Sequence, residues 1–535
     1  FNIKIKGMKM SKKPNILLLV NDHQAYYRHG WDGGIKPLTP NLDRISNEGS
    51  LFNRAYTTTP LCSPSRRTML TGLYPHNHHN YYNYTDSPYD HEIYLDLLAK
   101  EGYKNFYFGK WHAGPGTGLD FNCKGFSDTD YGNPYIHLSY KEYLKRNSLP
   151  QAQHHVIRHF WNEAFRQQFP KLKDNTTYRC EYAWCGELAV GLTETPKETH
   201  ESFFLANLAC DTLTDLAKNK DEKPFHISVN FWGPHHPHFP TSEFVNLYNS
   251  KDIIEYGSFS DTLIRKPQLF LHDFKKPLSD ENNHFRTPSP LSWEEWQQII
   301  VLAYAHITMV DAAGGMIIDK LFDLGLDENT IVIWTADHGD GLASHGGQFD
   351  KGTYVTEEVM RVPLAVRWPE AISPHQTINE IICNIDLAPT ILDMAGIKFT
   401  KPIDGQSWLP LLKNQKTSWR EALLTESFGH GYGVHHIVRA IHSGEYKYIY
   451  NHGQINELYH LGNDQFELNN LVDDTNYKNI LDEMILKLKE LQADTGDIGV
   501  KDPNYQQAIR DDKEKFLALK TRREEKVQKS VQINF

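Results

Sequence analysis

Cys62-Ser63-Pro64-Ser65-Arg66, continued by Arg67-Thr68-Met69-Leu70-Thr71-Gly72, is the stretch on which the reading of this chain turns. Pro64 has a fixed φ suited to the first turn of a helix, Ser63 can cap that turn, and Gly72 can end it. The stretch therefore predicts a helix with Cys62 at its N-terminus. Unpaired N–H groups and the helix dipole favour an anion there, and Arg66 follows on the same short segment. A cysteine, an arginine and a helix N-terminus converging on one point describe an oxyanion site. The plainer reading is a redox-quiet cysteine ahead of an ordinary helix, and the rest of the chain decides between them.

Four short apolar or β-branched runs, Ile16 to Val20, Asn105 to Phe108, Phe225 to Phe231 and Ile331 to Thr335, read as interior strands of a largely parallel sheet. Helical stretches are expected at Leu95 to Glu101, Phe203 to Lys218, Trp293 to Leu324 and Ile385 to Ala395. Strands alternating with helices predict an α/β fold, a large mostly parallel sheet sandwiched by helices. Each of the four runs is followed by chemistry: Asn21-Asp22-His23, Gly109-Lys110-Trp111-His112, Gly233-Pro234-His235-His236-Pro237-His238, and Asp337-His338-Gly339-Asp340. Ligands in open α/β sheets bind outside the carboxyl ends of the strands. The four clusters can therefore meet in one cleft, with Cys62 among them.

After about Pro410 the pattern changes. Ala422 to Ser427, Val438 to His442, Tyr446 to Tyr450 and Glu457 to His460 predict an antiparallel meander, with a helix from Asn479 to Asp494. This divides the chain into an N-terminal extension (1–13), a catalytic domain (14–410), a smaller C-terminal α+β subdomain (411–500) and a charged tail (501–535). Tyr248 to Ser292 lacks periodicity and reads as a surface excursion, and Asp511 to Lys529 as a surface helix or frayed end.

At 535 residues a large domain plus a smaller one is the natural division. The net charge of −11 argues against a nucleic-acid partner, which needs a basic face. No uninterrupted apolar run reaches the ~18 to 20 residues of a membrane span. Residues 1–13 are basic but lack the apolar core of a signal peptide. The six cysteines have no metal-finger spacing; Cys180 and Cys185 could close a short loop or remain thiols.

Cys-x-Pro-Ser-Arg followed by Thr-x-Leu-Thr-Gly resembles the signature of the type I sulfatases, within the alkaline phosphatase superfamily. The similarity extends through Pro40-Asn41-Leu42-Asp43-Arg44, Gly109-Lys110-Trp111-His112, Pro234-His235-His236-Pro237, Asp337-His338-Gly339 with Lys351, and Glu457-Leu458-Tyr459. The resemblance implies an alkaline-phosphatase-like fold and a sulfuric ester hydrolase in which Cys62 is oxidised to formylglycine, the catalytic aldehyde hydrate. That conversion needs a formylglycine-generating or anaerobic sulfatase-maturating enzyme as partner. Asp22, Asp337 and His338, with the oxygen on residue 62, form an oxygen-rich set with one imidazole. Such a set favours Ca²⁺ or Mg²⁺ and leaves Mn²⁺ open; the resemblance implies Ca²⁺. The commonest family pattern has Asp-Asp after the first strand, whereas this chain has Asp22-His23, so His23 either coordinates or hydrogen-bonds the site. No second, zinc-type cluster is evident, and one metal is expected.

The resemblance further implies that Arg66 and Lys110 stabilise the sulfate oxygens, that His235 or Lys351 protonates the departing alcohol, and that His112 regenerates the aldehyde. His76 and His78, with Asn77 and His79, and His430, His435, His436 and Arg439 in the small domain are candidates for holding a sugar. The motifs are similar to those of iduronate-2-sulfatase-like and marine polysaccharide sulfatases, which implies a sulfated saccharide such as ulvan or a glycosaminoglycan, and a periplasmic or secreted enzyme. A phosphonate monoester or phosphodiester hydrolase is the alternative enzyme. A carbohydrate-binding pseudo-sulfatase is the non-catalytic one.

Overall fold

The computed structural model describes residues 13–26, 34–83, 85, 87–128, 134–159, 173–180, 189–219, 223–268, 270, 291–348, 350–431, 434–512 and 514. Most of the N-terminal extension, Cys185, most of the excursion beyond residue 270 and most of the charged tail lie outside the described residues.

The frame is an eight-stranded sheet of β1 (Asn15–Asp22), β2 (Ser50–Phe52), β3 (Lys104–Lys110), β4 (Cys123–Asp128), β5 (Phe225–Pro234), β6 (Thr330–Ala336), β7 (Leu364–Arg367) and β8 (Gln376–Ile378). Its order is β8-β2-β7-β6-β1-β5-β3-β4. β1 lies parallel between β6 and β5, and β3 lies parallel between β5 and β4. Only β7 runs against its neighbours. The four runs read as strands from the sequence are thus the central strands, and their carboxyl ends lie along one edge.

Alternation in β1 explains the layering. Ile16, Leu18 and Val20 face one core and Leu17 and Leu19 the other, because successive side chains leave a strand on opposite faces. The first core is closed by α2 (Cys62–Thr71), α3 (Tyr94–Lys100) and α6 (Leu387–Met394), and the second by α1 (Pro40–Asn47), α4 (Glu201–Lys218) and α5 (Trp293–Asp323). Helix α5 has the length and hydropathy of a membrane span, but 83% of its apolar window is buried in the fold. It is a core helix that begins on a capping box between Ser292 and Glu295. The sequence carries no apolar run of that length because polar residues such as His306 and Asp311 interrupt it.

The small domain is the meander β9 (Ala422–Gly431), β10 (Val434–Ser443), β11 (Tyr446–Asn451) and β12 (Glu457–His460), backed by α7 (Lys478–Thr495). Its Leu424, Ile441 and Tyr459 share one core with Tyr56, Met360 and Ile385 of the large domain. A three-stranded antiparallel sheet of Gln153–His159, Thr176–Arg179 and Ala189–Thr193 was not foreseen. Residues 503–512, placed in the tail by the sequence, are helical and pack through Tyr505 on Tyr81, Tyr82 and Phe428. Cys62, Cys123, Cys180, Cys210 and Cys383 are all buried.

Candidate active site

Helix α2 begins at Cys62, with Leu61 rather than Ser63 at the N-cap position and no side chain of its own capping it. The free Ser63 N–H instead donates to Asn83 Oδ1 at 3.1 Å, which satisfies an orphan donor of the first turn. The Ser65 hydroxyl donates to the Asp337 carbonyl at 2.6 Å and ties the helix to the end of β6. Gly72 ends α2 in the left-handed region at φ 70, as its lack of a Cβ allows.

The strand ends meet at the head of this helix. One ligand atom each from Asp22, Cys62, Asp337 and His338 lies within 4.8 Å of the others, all four side chains being buried. Asp22 Oδ1 is buried without a hydrogen-bond partner. His338 Nδ1–H donates to the Gly339 carbonyl at 2.8 Å, and Nε2 points at Cys62 Sγ, 3.0 Å away. An imidazole fixed by a carbonyl on one nitrogen and aimed with the other is the arrangement of a metal ligand. Two carboxylates, one imidazole and an orphaned carboxylate oxygen fit a hard divalent cation, with oxygen on residue 62 completing the set.

Cations surround this centre. Lys110 Nζ bonds Asp22 Oδ2, and Arg66 Nε donates to Asp337 Oδ2 at 2.8 Å. Burial pushes the Cys62 thiol pKa up, but Lys110, Lys351 and His338 outweigh it and hold it well below its usual value. Gly109 makes the approach of Lys110 possible: at φ +100 it lies so close to β5 that a Cβ would come 2.0 Å from the Asn230 carbonyl oxygen.

A second cluster adjoins the first. His23, His235, His236 and Asp350 also bring ligand atoms within 4.8 Å of one another. The Lys351 ammonium sits in it, 3.2 Å from His235 Nε2 and 3.0 Å from Asp350 Oδ1. Burial favours neutral Lys351, but Asp350, Cys62 and Asp22 raise its pKa above the ordinary lysine value. His235 goes the other way, held well below its usual value by burial and by His236 and Lys351. The positive charge of the pair therefore rests on Lys351. His23 stands on this side: its Nε2 is 3.3 Å from Asp350 Oδ1, and its ring is edge-on to His338 at 4.8 Å between centroids. Only its backbone N–H reaches the first centre, donating to Asp337 Oδ1 at 3.0 Å.

His112 lies past the end of β3 in the left-handed region at φ 41, and its Nε2–H donates to the Asn83 carbonyl at 2.9 Å. Asp22, Cys62, Arg66, Lys110, His112, His235, Asp337, His338 and Lys351 are all buried around these two clusters and the turns that frame them.

The sugar-holding candidates divide. His430 is half-buried, and its charge acts on Asp350. His435 Nδ1 meets the Tyr82 hydroxyl at 2.8 Å, and its Nε2 is 3.5 Å from Asp512. Three others are framework rather than cleft. His76 is clamped between Glu426 and the Thr495 carbonyl. Burial lowers its pKa, but Glu426 outweighs this and holds it at about 9. His78 is wholly buried against Thr68 and the Asn80 N–H. Arg439, expected to face the sugar, is buried in a pair with Asp497 and stacked over Phe428. A row of buried histidines also escaped the sequence: His236, His238, His306, His200 and His154 follow one another with ring centroids 5.4 to 6.4 Å apart.

Comparison with known proteins places this geometry. A family model described as "Sulfatase" matches residues 14–397. A second, described as "N-sulphoglucosamine sulphohydrolase, C-terminal", matches residues 344–494. The chain is similar to an N-acetylglucosamine-6-O-sulfatase of Bacteroides thetaiotaomicron, 26% identical over 93% of this chain and 89% of that protein. It is also similar to an ulvan-active sulfatase of Formosa agariphila, 25% identical over 91% of this chain and 82% of that one. Among solved structures, the phosphonate monoester hydrolase of Agrobacterium radiobacter shares the fold with a TM-score of 0.71 at 20% identity, over 90% of this chain and 96% of that one. With most of its length matched by the family model, and with that family's signature at the head of α2 among the ends of four strands, this chain belongs to the sulfatase family and is a sulfuric ester hydrolase.

Proposed function

We propose that the enzyme removes sulfate from a sulfated carbohydrate, through a formylglycine hydrate made from Cys62. The observation that carries the reading is the gathering of Asp22, Cys62, Asp337 and His338 within 4.8 Å beneath Arg66 and Lys110. The named activities of the two bacterial relatives, on N-acetylglucosamine 6-O-sulfate and on ulvan, support a saccharide as substrate.

A divalent cation held by Asp22, Asp337 and His338 supplies Lewis acidity beside residue 62 when bound; Ca²⁺ fits this set, with Mg²⁺ and Mn²⁺ as alternatives. Arg66 and Lys110 carry positive charge to the sulfate oxygens. One hydroxyl of the hydrated residue 62 gives up its proton to water and forms the new bond to sulfur while the bond from sulfur to the sugar oxygen breaks. Lys351, the charged member of its pair with His235, delivers a proton to that departing oxygen. His112 then takes the proton from the remaining hydroxyl, the carbon–oxygen bond to sulfate breaks, and sulfate leaves as the aldehyde re-forms. Water adds to the aldehyde to restore the hydrate.

The phosphonate hydrolase reading rests on the shared fold, so the test is parallel turnover. Protein co-produced with a maturating enzyme is offered defined sulfated oligosaccharides, 4-nitrophenyl sulfate and an aryl phosphodiester. Desulfated saccharide as the fastest product is the expected result. Faster turnover of the phosphodiester would overturn it.

A further inference from the structure

Asn83 touches two partners that the proposed reaction must keep in register, and no motif singled it out. Its side-chain Oδ1 accepts the Ser63 N–H at 3.1 Å, at the first turn of the helix that starts with Cys62. Its main-chain carbonyl accepts the His112 Nε2–H at 2.9 Å. A carbonyl can only accept, so neutral His112 carries its proton on Nε2 and keeps its basic lone pair on Nδ1. Asn83 is itself buried, at 8% exposure.

The segment that carries Asn83 is fastened from the far end of the chain. The Tyr81 hydroxyl donates to Asp502 Oδ2 at 2.5 Å, and the Tyr82 hydroxyl meets His435 Nδ1 at 2.8 Å. Tyr505 packs on both rings, and its hydroxyl donates to the Phe428 carbonyl at 3.0 Å. Asp502 and Tyr505 lie beyond residue 494, where the second family match ends.

We propose that Asn83 is a positioning residue for the return of the aldehyde, presenting the head of α2 and the Nδ1 of His112 to each other. This rests on the reading given under Proposed function. In the step concerned, Nδ1 takes the proton of the remaining hydroxyl, the carbon–oxygen bond to sulfate breaks with its electrons going to sulfate, and the carbonyl forms. A base that is out of register slows this step and leaves the earlier release of alcohol fast.

Asn83→Ala should therefore lower kcat roughly 10- to 100-fold, within the range general-base catalysis supplies. It should turn the 4-nitrophenyl sulfate trace into a stoichiometric burst of 4-nitrophenol followed by a slow phase. The kcat for aryl and saccharide substrates should converge, because both share the slowed step. Asn83→Asp, which keeps the acceptor oxygen, should restore most of the turnover, and His112→Ala should show the same burst. Nitrogen NMR of histidine-labelled wild-type protein, assigned with His112→Gln, should find the His112 proton on Nε2. A proton on Nδ1 overturns the proposal even where Asn83→Ala fails to fold. Loss of activity without a burst, or full activity in Asn83→Ala, overturns it alone. A wild type that turns over no sulfate ester sinks the underlying reading and this proposal with it.

Discussion

Arg439 and Asp497 face each other inside the small domain as a two-point ion pair, Nε to Oδ2 at 2.7 Å and Nη2 to Oδ1 at 2.9 Å. Both side chains are 1% exposed. A guanidinium so engaged holds β10 to the segment after α7. Arg439→Ala should thus act on stability. Removing one partner of a buried pair strands the other charge, at about 3–5 kcal/mol. Urea unfolding should show that loss, with KM values for aryl and saccharide sulfates unchanged in the folded fraction. A stable variant whose KM rises for the saccharide alone would return Arg439 to the cleft.

The buried histidines should make the fold acid-labile. Burial holds His200, His226 and His238 at about 3, and His154 and His306 well below their usual value. The unfolded chain takes up protons near pH 6.5 while the folded chain does not, so their stability contribution is complete above pH 6.5 and is lost as pH falls below it. Each such group contributes a slope of about 1.4 kcal/mol per pH unit in that window. The urea midpoint should fall steeply between pH 7 and pH 5. A midpoint flat over that range would show that the rings are hydrated.

Lys351 should matter most where the leaving alcohol is poor. Lys351→Ala removes the proton donor, so turnover of a saccharide sulfate should fall about 10²-fold or more. Turnover of 4-nitrophenyl sulfate, whose phenolate leaves unaided, should fall much less. Equal losses on both substrates would mean that Lys351 serves the sulfate oxygens instead.

Asp337 joins three tasks: it lies in the four-residue cluster, bonds Arg66, and accepts the His23 N–H. Asp337→Asn should lower metal content, measured by elemental analysis, together with turnover by orders of magnitude. Soaking the wild type in a chelator should reproduce the loss of activity, and adding back Ca²⁺ should reverse it. Two zinc ions per chain would favour a phosphatase-like centre.

The central strands were readable because β1, β3, β5 and β6 are short apolar runs followed directly by Asp, Lys and His. Strand polarity then put those residues on one edge. The sheet of residues 153–193 was not readable, since two of its three strands carry polar side chains such as His155 and Thr177 with few apolar ones. The site residues named by motif come together, whereas His76 and Arg439, offered for a sugar, are buried against acidic partners. A cation in a sequence looks available until its partner is known, and Glu426 and Asp497 lie far along the chain from His76 and Arg439 or on another element. Asn83 stayed invisible because one of its two contacts is made by a main-chain carbonyl, which no side-chain pattern encodes.

Every residue of α2 from Cys62 to Thr71 is buried, and the Cys62 side chain has no exposed surface. For the proposed maturation this burial sets an order of events. A second enzyme cannot reach a thiol that has no exposed surface, and here the cysteine lies among buried strand ends once the sheet has closed. On the formylglycine route proposed above, conversion of Cys62 has to come before the sheet closes over it. Mature folded thiol protein should resist later activation, and chains that fold before being met should persist as a permanently silent fraction.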